Sequence, residues 1–359
     1  MSDDLTSELR EHVRAAADAG TPLRLEGQCT KSWLGRAVTG EPLPLAGHAG
    51  ILNYQPKELV ITARCGTPLD EIEAVLAEQG QMLSFEPPRF QCGSARATLG
   101  GTIACGLSGP ARPYAGAARD LVLGARVLNG RGEVLRFGGE VMKNVAGYDI
   151  SRLMTGAQGT LGILLDVSLK VLPIPPETRT LVQECAQAEA IERMARWAAL
   201  PLPVSATCCD GQRLWIRLSG NHGGVEAAAE RIGGEALDAD ESSGFWRDQI
   251  REQGHPFFTG DGPLWRLSVP PTTAPLDLPG EPLVEWGGAQ RWWRGDLPFE
   301  VIRSTVARVS GHATLFRGGD RNAAVFHPLP EGLMDLHRAL KRAFDPAGIL
   351  NPGRLHAEL

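Results

Sequence analysis

Residues 98–109 read TLGGTIACGLSG, with small residues such as Gly100, Gly101, Ala104 and Gly109 at nearly every position behind Thr98. Such a stretch has two physical readings of equal weight. It is a tight packing crossover between a helix and a sheet, or a bare surface against which a flat ring system lies because no Cβ stands in the way. Working outward, a strand over 22–25 runs upstream into the turn Gly27-Gln28-Cys29-Thr30-Lys31. Downstream, segments 120–127, 133–137 and 162–172 read as β-branched strands around the turn Asn129-Gly130. A second glycine-rich loop, GAQGTLGI over 156–163, precedes the last of them.

Ahead of this region, Leu5, Leu9 and Val13 form one stripe of a helix ended by Gly20. Residues 50–63 read as two short strands broken at Pro56. Residues 68–78 read as an amphipathic helix with Thr67 as cap and Pro68 in its first position. The prolines 173, 175 and 176 end the first lobe. Beyond them a β-α-β-like run covers a strand over 179–185, a helix over 188–200, a strand over 212–218 and a helix over 225–232. Residues 238–295, rich in Trp, Pro and Gly, yield no assignment. Helices over 298–310 and 333–344 flank a strand near 313–316.

The chain has 359 residues, and at roughly 150 residues per domain it divides into two lobes. A net charge of -6 leaves no broad basic surface, which argues against a nucleic-acid partner. The start lacks an export signal, and no segment approaches the ~18 apolar residues of a spanning helix, so the expectation is cytoplasmic, with membrane contact only through a partner. Seven scattered cysteines without a C-x-x-C suit reduced thiols and argue against an iron–sulfur cluster or structural zinc in this chain. The nicotinamide fingerprint, the P-loop and the G-x-S-x-G elbow are absent. What remains is a dinucleotide held by glycine turns, whose bare N–H groups approach a pyrophosphate closely.

Taken in order, G-x-x-T-K, EPP, TLGG…GLSGP, ARDLVLGARVLNGRGEVLRF, KNVAGYD, GAQGTLGI and FDPAGILNPGR resemble the FAD-binding domain of the vanillyl-alcohol oxidase (PCMH-type) flavoproteins. With PLWRLSVP, VEWGGAQRWW and GHATLFRGGD added, the whole chain resembles the family of FAD-binding E subunits of bacterial glycolate oxidases. The resemblance implies an α+β fold: an FAD domain over 1–174, a smaller cap domain over 175–335, and a segment over 336–359 returning to the FAD domain. It implies FAD as cofactor, a small 2-hydroxy acid as substrate, and a larger FAD-binding glycolate oxidase subunit and an iron–sulfur subunit as partners. It places Gly27, Thr30 and Lys31 at the pyrophosphate, and Thr98, Gly100, Gly101, Ala104 and Gly109 along the isoalloxazine and ribityl side. Arg119, Asp120, Val122, Gly162 and Ile163 fall near the adenosine half or ribityl chain, and Asn351 returns the C-terminus to the flavin. Lys143 reads either as a cation facing the charge on a reduced flavin or as a solvated lysine.

Two departures stand out. Relatives carry glycines or small residues where Gln28 and Cys29 occupy the pyrophosphate turn, so altered FAD binding is expected. The histidine-rich H-x-G-D-G-N segment of larger 2-hydroxy-acid oxidising relatives is missing, none of the eight histidines has an i, i+4 ligand partner, and no catalytic residue or metal ligand is assigned. The missing segment favours a subunit that relays electrons and turns over only with its partners, with two alternatives open: a flavin-free assembly subunit that lost the cofactor at the Gln28-Cys29 turn, or a stand-alone FAD oxidase of another hydroxy compound. Trp265, Trp286, Trp292 and Trp293 read as cap-lobe core or, through exposed apolar surface, as the docking face for a partner.

Overall fold

The computed structural model describes residues 4–139 and 149–359. The chain divides into two compact units, one built from residues 1–107, 117–173 and 321–359, the other from 108–116 and 174–320.

The first unit opens with helix α1 (Thr6–Ala19), whose Leu9, Val13 and Ala16 are buried and whose end is capped by Gly20 in the left-handed region. Strands β1 (Leu23–Glu26) and β2 (Glu41–Pro44) pair in parallel. Strand β3 (Ile51–Gln55) turns through a 3-10 segment at Pro56–Glu58 into β4 (Val60–Arg64). Helix α2 (Leu69–Ala77) starts one residue later than its sequence suggests: Pro68 is the N-cap, and the Thr67 hydroxyl accepts a 2.8 Å hydrogen bond from Gly50 N instead. After β5 (Gln81–Met82) and α3 (Leu99–Cys105) come β6 (Val122–Leu128), β7 (Val134–Gly138), β8 (Ile163–Lys170) and β9 (Leu172–Pro173).

The main sheet is antiparallel throughout, in the order β3-β4-β8-β6-β7. Its central strand β8 is buried along nearly its whole length because both faces are covered. Leu164, Val167 and Leu169 pack with Leu69, Ile72, Leu99 and Ile103, while Ile163 and Leu165 pack with Leu9, Val13, Leu23 and Leu350.

The connection between β6 and β7 is a wider loop than an Asn-Gly hairpin. Asn129 Oδ1 accepts from Arg131 N and Glu133 N at 2.9 and 3.0 Å, and the left-handed residue is Gly132. Gly130 is small for another reason: a Cβ there collides with the Asp345 carboxylate. In the C-terminal helix Glu331–Phe344, buried Lys341 donates from Nζ to Asp345 Oδ2 at 2.7 Å, Leu350 O at 2.7 Å and Thr160 O at 2.9 Å. The tail is thereby tied to the start of β8.

The second unit is one eight-stranded antiparallel sheet formed by β10 (Glu177–Glu184), β11 (Val204–Cys209), β12 (Arg213–Gly220), β13 (Glu235–Ala236), β14 (Leu264–Ser268), β15 (Leu283–Glu285), β16 (Gln290–Arg294) and β17 (His312–Arg317), in the order β13-β10-β12-β11-β15-β16-β14-β17. Helices Gln187–Ala198 and His222–Ile232 cover one face through Ile191, Met194, Val225 and Ala228. Strand β11 lies in a stretch to which the sequence assigned no element, and residues 238–295 supply three strands and a π-helical turn over Phe245–Arg251. The turns Pro270-Pro271 and Gly287-Gly288 break those strands into pieces too short for a periodic signal.

The docking expectation is overturned for three of the four tryptophans, while Trp286 is half-buried. Trp265, Trp292 and Trp293 are at most 5% exposed. Trp265 packs edge-on against Phe299, and Trp293 Nε1 donates to Pro279 O at 2.8 Å. Short strands pack these rings inward from alternate faces. The histidine expectation also needs correction. His222 Nε2 stands 3.7 Å from Glu226 four residues on, with Glu177 at Nδ1, in an exposed helix-end ion pair.

Candidate functional site

The first unit contains a cleft of about 340 Å³, bounded by the turn after β1, one side of α3, the loop 157–164 and the C-terminal tail. Ten of the residues expected at the site line it: Gly27, Thr30, Lys31, Thr98, Gly100, Gly101, Ala104, Gly162, Ile163 and Asn351.

Helix α3 shows how small residues serve two purposes. Thr98 caps it, its hydroxyl accepting from Gly101 N at 3.2 Å. Leu99, Thr102 and Ile103 turn inward, leaving Gly100, Gly101, Ala104 and Cys105 on the half-open side. Gly100 is a packing glycine: its N–H donates to Cys65 O at 2.7 Å, and a Cβ there stands 2.7 Å from Cys65 Cβ. At Gly101 an added Cβ meets nothing within 4 Å except Thr98 Oγ1 at 3.1 Å, so its bare face belongs to the cleft. The two readings of this segment fall on adjacent residues.

The turn after β1 keeps the shape of a glycine turn although Gln28 and Cys29 follow Gly27 in it. Cys29 takes a φ of 58°, and the Gln28 side chain is tied back, its Oε1 accepting from Arg96 N at 2.7 Å. Among the described residues, the backbone N–H groups of Gln28, Cys29 and Thr30 have no acceptor. Gly27 is required because a Cβ there comes within 2.8 Å of Thr98 Oγ1. Lys31 is 7% exposed, with Nζ 3.2 Å from Thr30 Oγ1 and donating to Arg89 O at 3.4 Å.

The tail completes the cleft. Asn351 donates from Nδ2 to Gln158 O at 2.7 Å and accepts from Leu25 N at 2.9 Å, joining β1 to the loop ahead of β8. Three residues further, Arg354 is a wall residue that sequence reading missed within NPGR. Its guanidinium reaches Gln158 Oε1 at 3.2 Å, Arg36 O at 2.9 Å and Ser32 O at 3.0 Å. None of these acceptors is a carboxylate, so Arg354 adds its charge to that of Lys31 in the wall, while Arg24 is offset by Glu26 at 2.6 Å. Burial pushes the Cys105 thiol up against the pull of Lys31 and Arg354, and pushes Cys65 well up, so both present neutral wall.

Four expected residues line no part of this cleft. Arg119 is 69% exposed in side chain, beside Asp120 at 3.8 Å. Asp120 closes a one-turn helix by accepting from Ala117 N at 2.9 Å, and Val122 is buried in the core of the sheet. Gly109 belongs to the second unit, where its carbonyl accepts from Trp286 Nε1 at 3.1 Å. Lys143 lies outside the described residues. Gly162 lines the cleft while its own space is taken by packing: a Cβ there meets Val127 Cγ1 at 2.5 Å.

Unpaired N–H groups on a sharp turn, two cations and a glycine-faced wall form a donor set that matches a diphosphate joined to a flat ring. Residues 5–138 match the FAD binding domain family, and residues 318–355 match the C-terminal domain of FAD linked oxidases. The chain is 49% identical to glycolate oxidase subunit GlcE of Escherichia coli (strain K12), over 99% of both chains. It is 35% identical to glycolate oxidase subunit GlcD of Bacillus subtilis (strain 168), over 37% of this chain and 27% of that one. In fold it is similar to p-cresol methylhydroxylase, with a TM-score of 0.72, 18% identity, and coverage of 99% of this chain and 88% of that one. No helix among the described residues is long and apolar enough to cross a membrane. Two FAD-type domain matches and near-complete alignment with one relative lead to one statement: this chain, with its PCMH-type fold, belongs to the family of the FAD-linked glycolate oxidase subunit GlcE.

Proposed function

We propose that this chain is the FAD-binding E-type subunit of a multi-subunit glycolate oxidase. The assembled enzyme converts glycolate to glyoxylate and passes the electrons on through a larger FAD-binding subunit and an iron–sulfur subunit. The observation that carries the proposal is 49% identity spread over 99% of both chains. A cleft of matching donor chemistry in the first unit supports it.

Within that reading, the N–H groups of the 27–31 turn, together with Thr30, Lys31 and Arg354, offset the diphosphate charge of FAD. Gly101 and Ala104 provide the flat wall. Asn351 holds β1 and the 157–159 turn at a fixed spacing. When bound, FAD supplies a redox carrier that takes up electrons drawn from the hydroxy acid and hands them on. Thr98 and Gly100 keep α3 seated, so the wall does not shift when the ligand enters. The neutral thiols Cys65 and Cys105 line the cleft without adding charge. The sequence carries no histidine-rich metal segment, and this supports a relay role for the subunit.

The purified chain is expected to be yellow and to release about one FAD per chain on acid precipitation. Glycolate turnover with an artificial acceptor is expected only after both partners are added. A protein that stays colourless under every reconstitution condition sinks the cofactor assignment, and turnover by the lone chain at the rate of the complex sinks the relay role.

A further inference from the structure

The sheet of the first unit carries a row of charge on the face turned away from the core residues Ile61, Ala63, Val167 and Leu169. In register, Arg64 of β4 lies opposite Asp166 of β8, Asp166 opposite Arg126 of β6, and Arg126 opposite Arg136 of β7. Directly opposite residues share one face, so three guanidiniums and one carboxylate stand side by side across four strands. Arg64 turns out of the row, with Nη2 3.5 Å from Asp4 Oδ2 and Nη1 donating to Ala49 O at 3.3 Å. Asp166 is left to Arg126, whose Nε donates to Asp166 Oδ2. Arg136 makes no hydrogen bond or ion pair among the described residues. Like charges directly opposite on neighbouring strands weaken a sheet, and here a single carboxylate serves two facing arginines.

The next row along the strands forms the floor of a recess of about 360 Å³. Thr62 and Ser168, opposite each other and each 6% exposed, share one hydrogen bond of 2.8 Å between their hydroxyls. Two hydroxyls carry two hydrogens and this bond uses one, so one buried donor has no acceptor among the described residues. Arg126, Arg136, Asp166 and Leu52 line the recess around that pair. Arg126 is 30% exposed in side chain, and its two Nη groups make no hydrogen bond among the described residues. The second oxygen of Asp166, Oδ1, likewise makes none. An antiparallel sheet often turns one polar face to water, but a freely solvated face would leave its hydroxyls open, and these are buried.

We propose that Arg126, Arg136 and the Thr62–Ser168 hydroxyl pair form a binding site for a phosphate group, either inorganic phosphate or the phosphate of a small monoester. Two phosphate oxygens accept from the facing guanidiniums, which relieves their repulsion, and a third accepts the hydroxyl hydrogen that the Thr62–Ser168 bond leaves over. Asp166 Oδ1 accepts the hydrogen of a singly protonated phosphate, a hydrogen that sulfate does not carry. The recess is larger than a bare phosphate and falls at the lower end of small-molecule sites, roughly 300 to 1,000 Å³, so a substituent of a few carbons fits beside Leu52. Strand β8 lines the flavin cleft at Ile163 and Leu164 and the recess at Asp166 and Ser168, yet the site stands without the flavin reading, since none of its residues belongs to the cleft.

The test is isothermal titration of the full chain with FAD in excess, so that the 27–31 turn is filled, at about pH 6, near the second pKa of a phosphate monoester. The titrants are inorganic phosphate, glycerol 3-phosphate and sulfate. Wild-type chain is expected to bind a phosphate titrant saturably and sulfate at least tenfold more weakly. Arg136→Leu, at an exposed position on an edge strand, is expected to lose at least about tenfold in phosphate affinity and Arg136→Lys less, with circular dichroism and melting temperature unchanged. Arg131→Leu removes the same charge from the same hairpin outside the recess and is expected to leave the affinity as it is. Tighter binding of glycerol 3-phosphate assigns the site to a monoester, and equal or tighter binding of inorganic phosphate assigns it to the free ion. Binding that is absent, matched by sulfate, indifferent to Arg136, or lowered as much by Arg131→Leu overturns the site. Binding abolished by Lys31→Ala and kept by Arg136→Leu places the ion in the flavin cleft and also overturns it. A colourless chain whose phosphate binding still depends on Arg136 overturns the flavin reading alone.

Discussion

The cleft of the first unit and the aromatic sheet face of the second are built by opposite means. In the first, the surface consists of missing side chains and backbone donors: Gly101 faces space, and the N–H groups of Gln28, Cys29 and Thr30 have no acceptor among the described residues. In the second, large side chains form the surface, with Arg266, Arg112, Trp292 and Phe316 held by aromatic contacts. A surface made by omission accepts a large flat ligand and is sensitive to any added atom. A surface made of bulky, close-packed groups is sensitive to any atom removed.

The largest expected effect tests the second half of this contrast. Trp292→Ala removes a ring 5% exposed that packs on Phe258 and Phe316 and donates to Glu285. It should cost about 3 to 5 kcal/mol in denaturant unfolding. A variant as stable as the parent that loses only its partner subunits would restore the docking role for this ring.

An intermediate effect separates the two glycines of α3. Gly100→Leu drives atoms into Cys65 and is expected to lose about 1 to 3 kcal/mol. Gly101→Leu is expected to keep its far-ultraviolet circular dichroism and melting temperature while losing FAD. If Gly101→Leu unfolds and Gly100→Leu keeps its flavin, the division between a packing side and a ligand side of this helix is wrong.

The smallest effect is a pH dependence confined to the first unit. His48 is 1% exposed, and its Nδ1 accepts from Leu5 N at 3.1 Å, which requires a neutral ring at that nitrogen. Burial lowers its pKa from 6.5, outweighing the pull of Asp4. The unfolded chain therefore takes up the proton first as pH falls below 6.5, so stability is level above that value and declines below it until the folded-state pKa is passed. Unfolding curves between about pH 5 and 7.5 should show that slope in the wild type and a weaker one in His48→Asn. An unchanged slope in the variant assigns it to other groups.

Much of this architecture is legible locally. The stripe Leu9 and Val13, the Gly20 cap, the strands on either side of Pro56, and the small-residue run after Thr98 each carry their instruction within a few residues. The same holds for the class of ligand, because a turn that exposes N–H groups is written by its own backbone preferences. Residues 238–295 resisted reading because their strands are three to five residues long and have bulky residues on both faces, so neither a period of 2 nor one of 3.6 emerges.

What only the tertiary structure decided is the direction in which equivalent residues face. Gly100 packs and Gly101 opens because Cys65, 35 positions earlier, lies beside one and not the other. Gly130 is needed for Asp345 rather than for a turn, and Arg354 reaches the cleft because Lys341 and Asn351 tie the tail to Thr160, Leu350, Leu25 and Gln158. Arg266 meets Thr314 and Trp292 through strand register, which no local stretch specifies. Backbone propensity is local and can be read from neighbouring residues. Close packing is set by partners far away in the chain, so the purpose of a small or charged residue is decided only when those partners arrive.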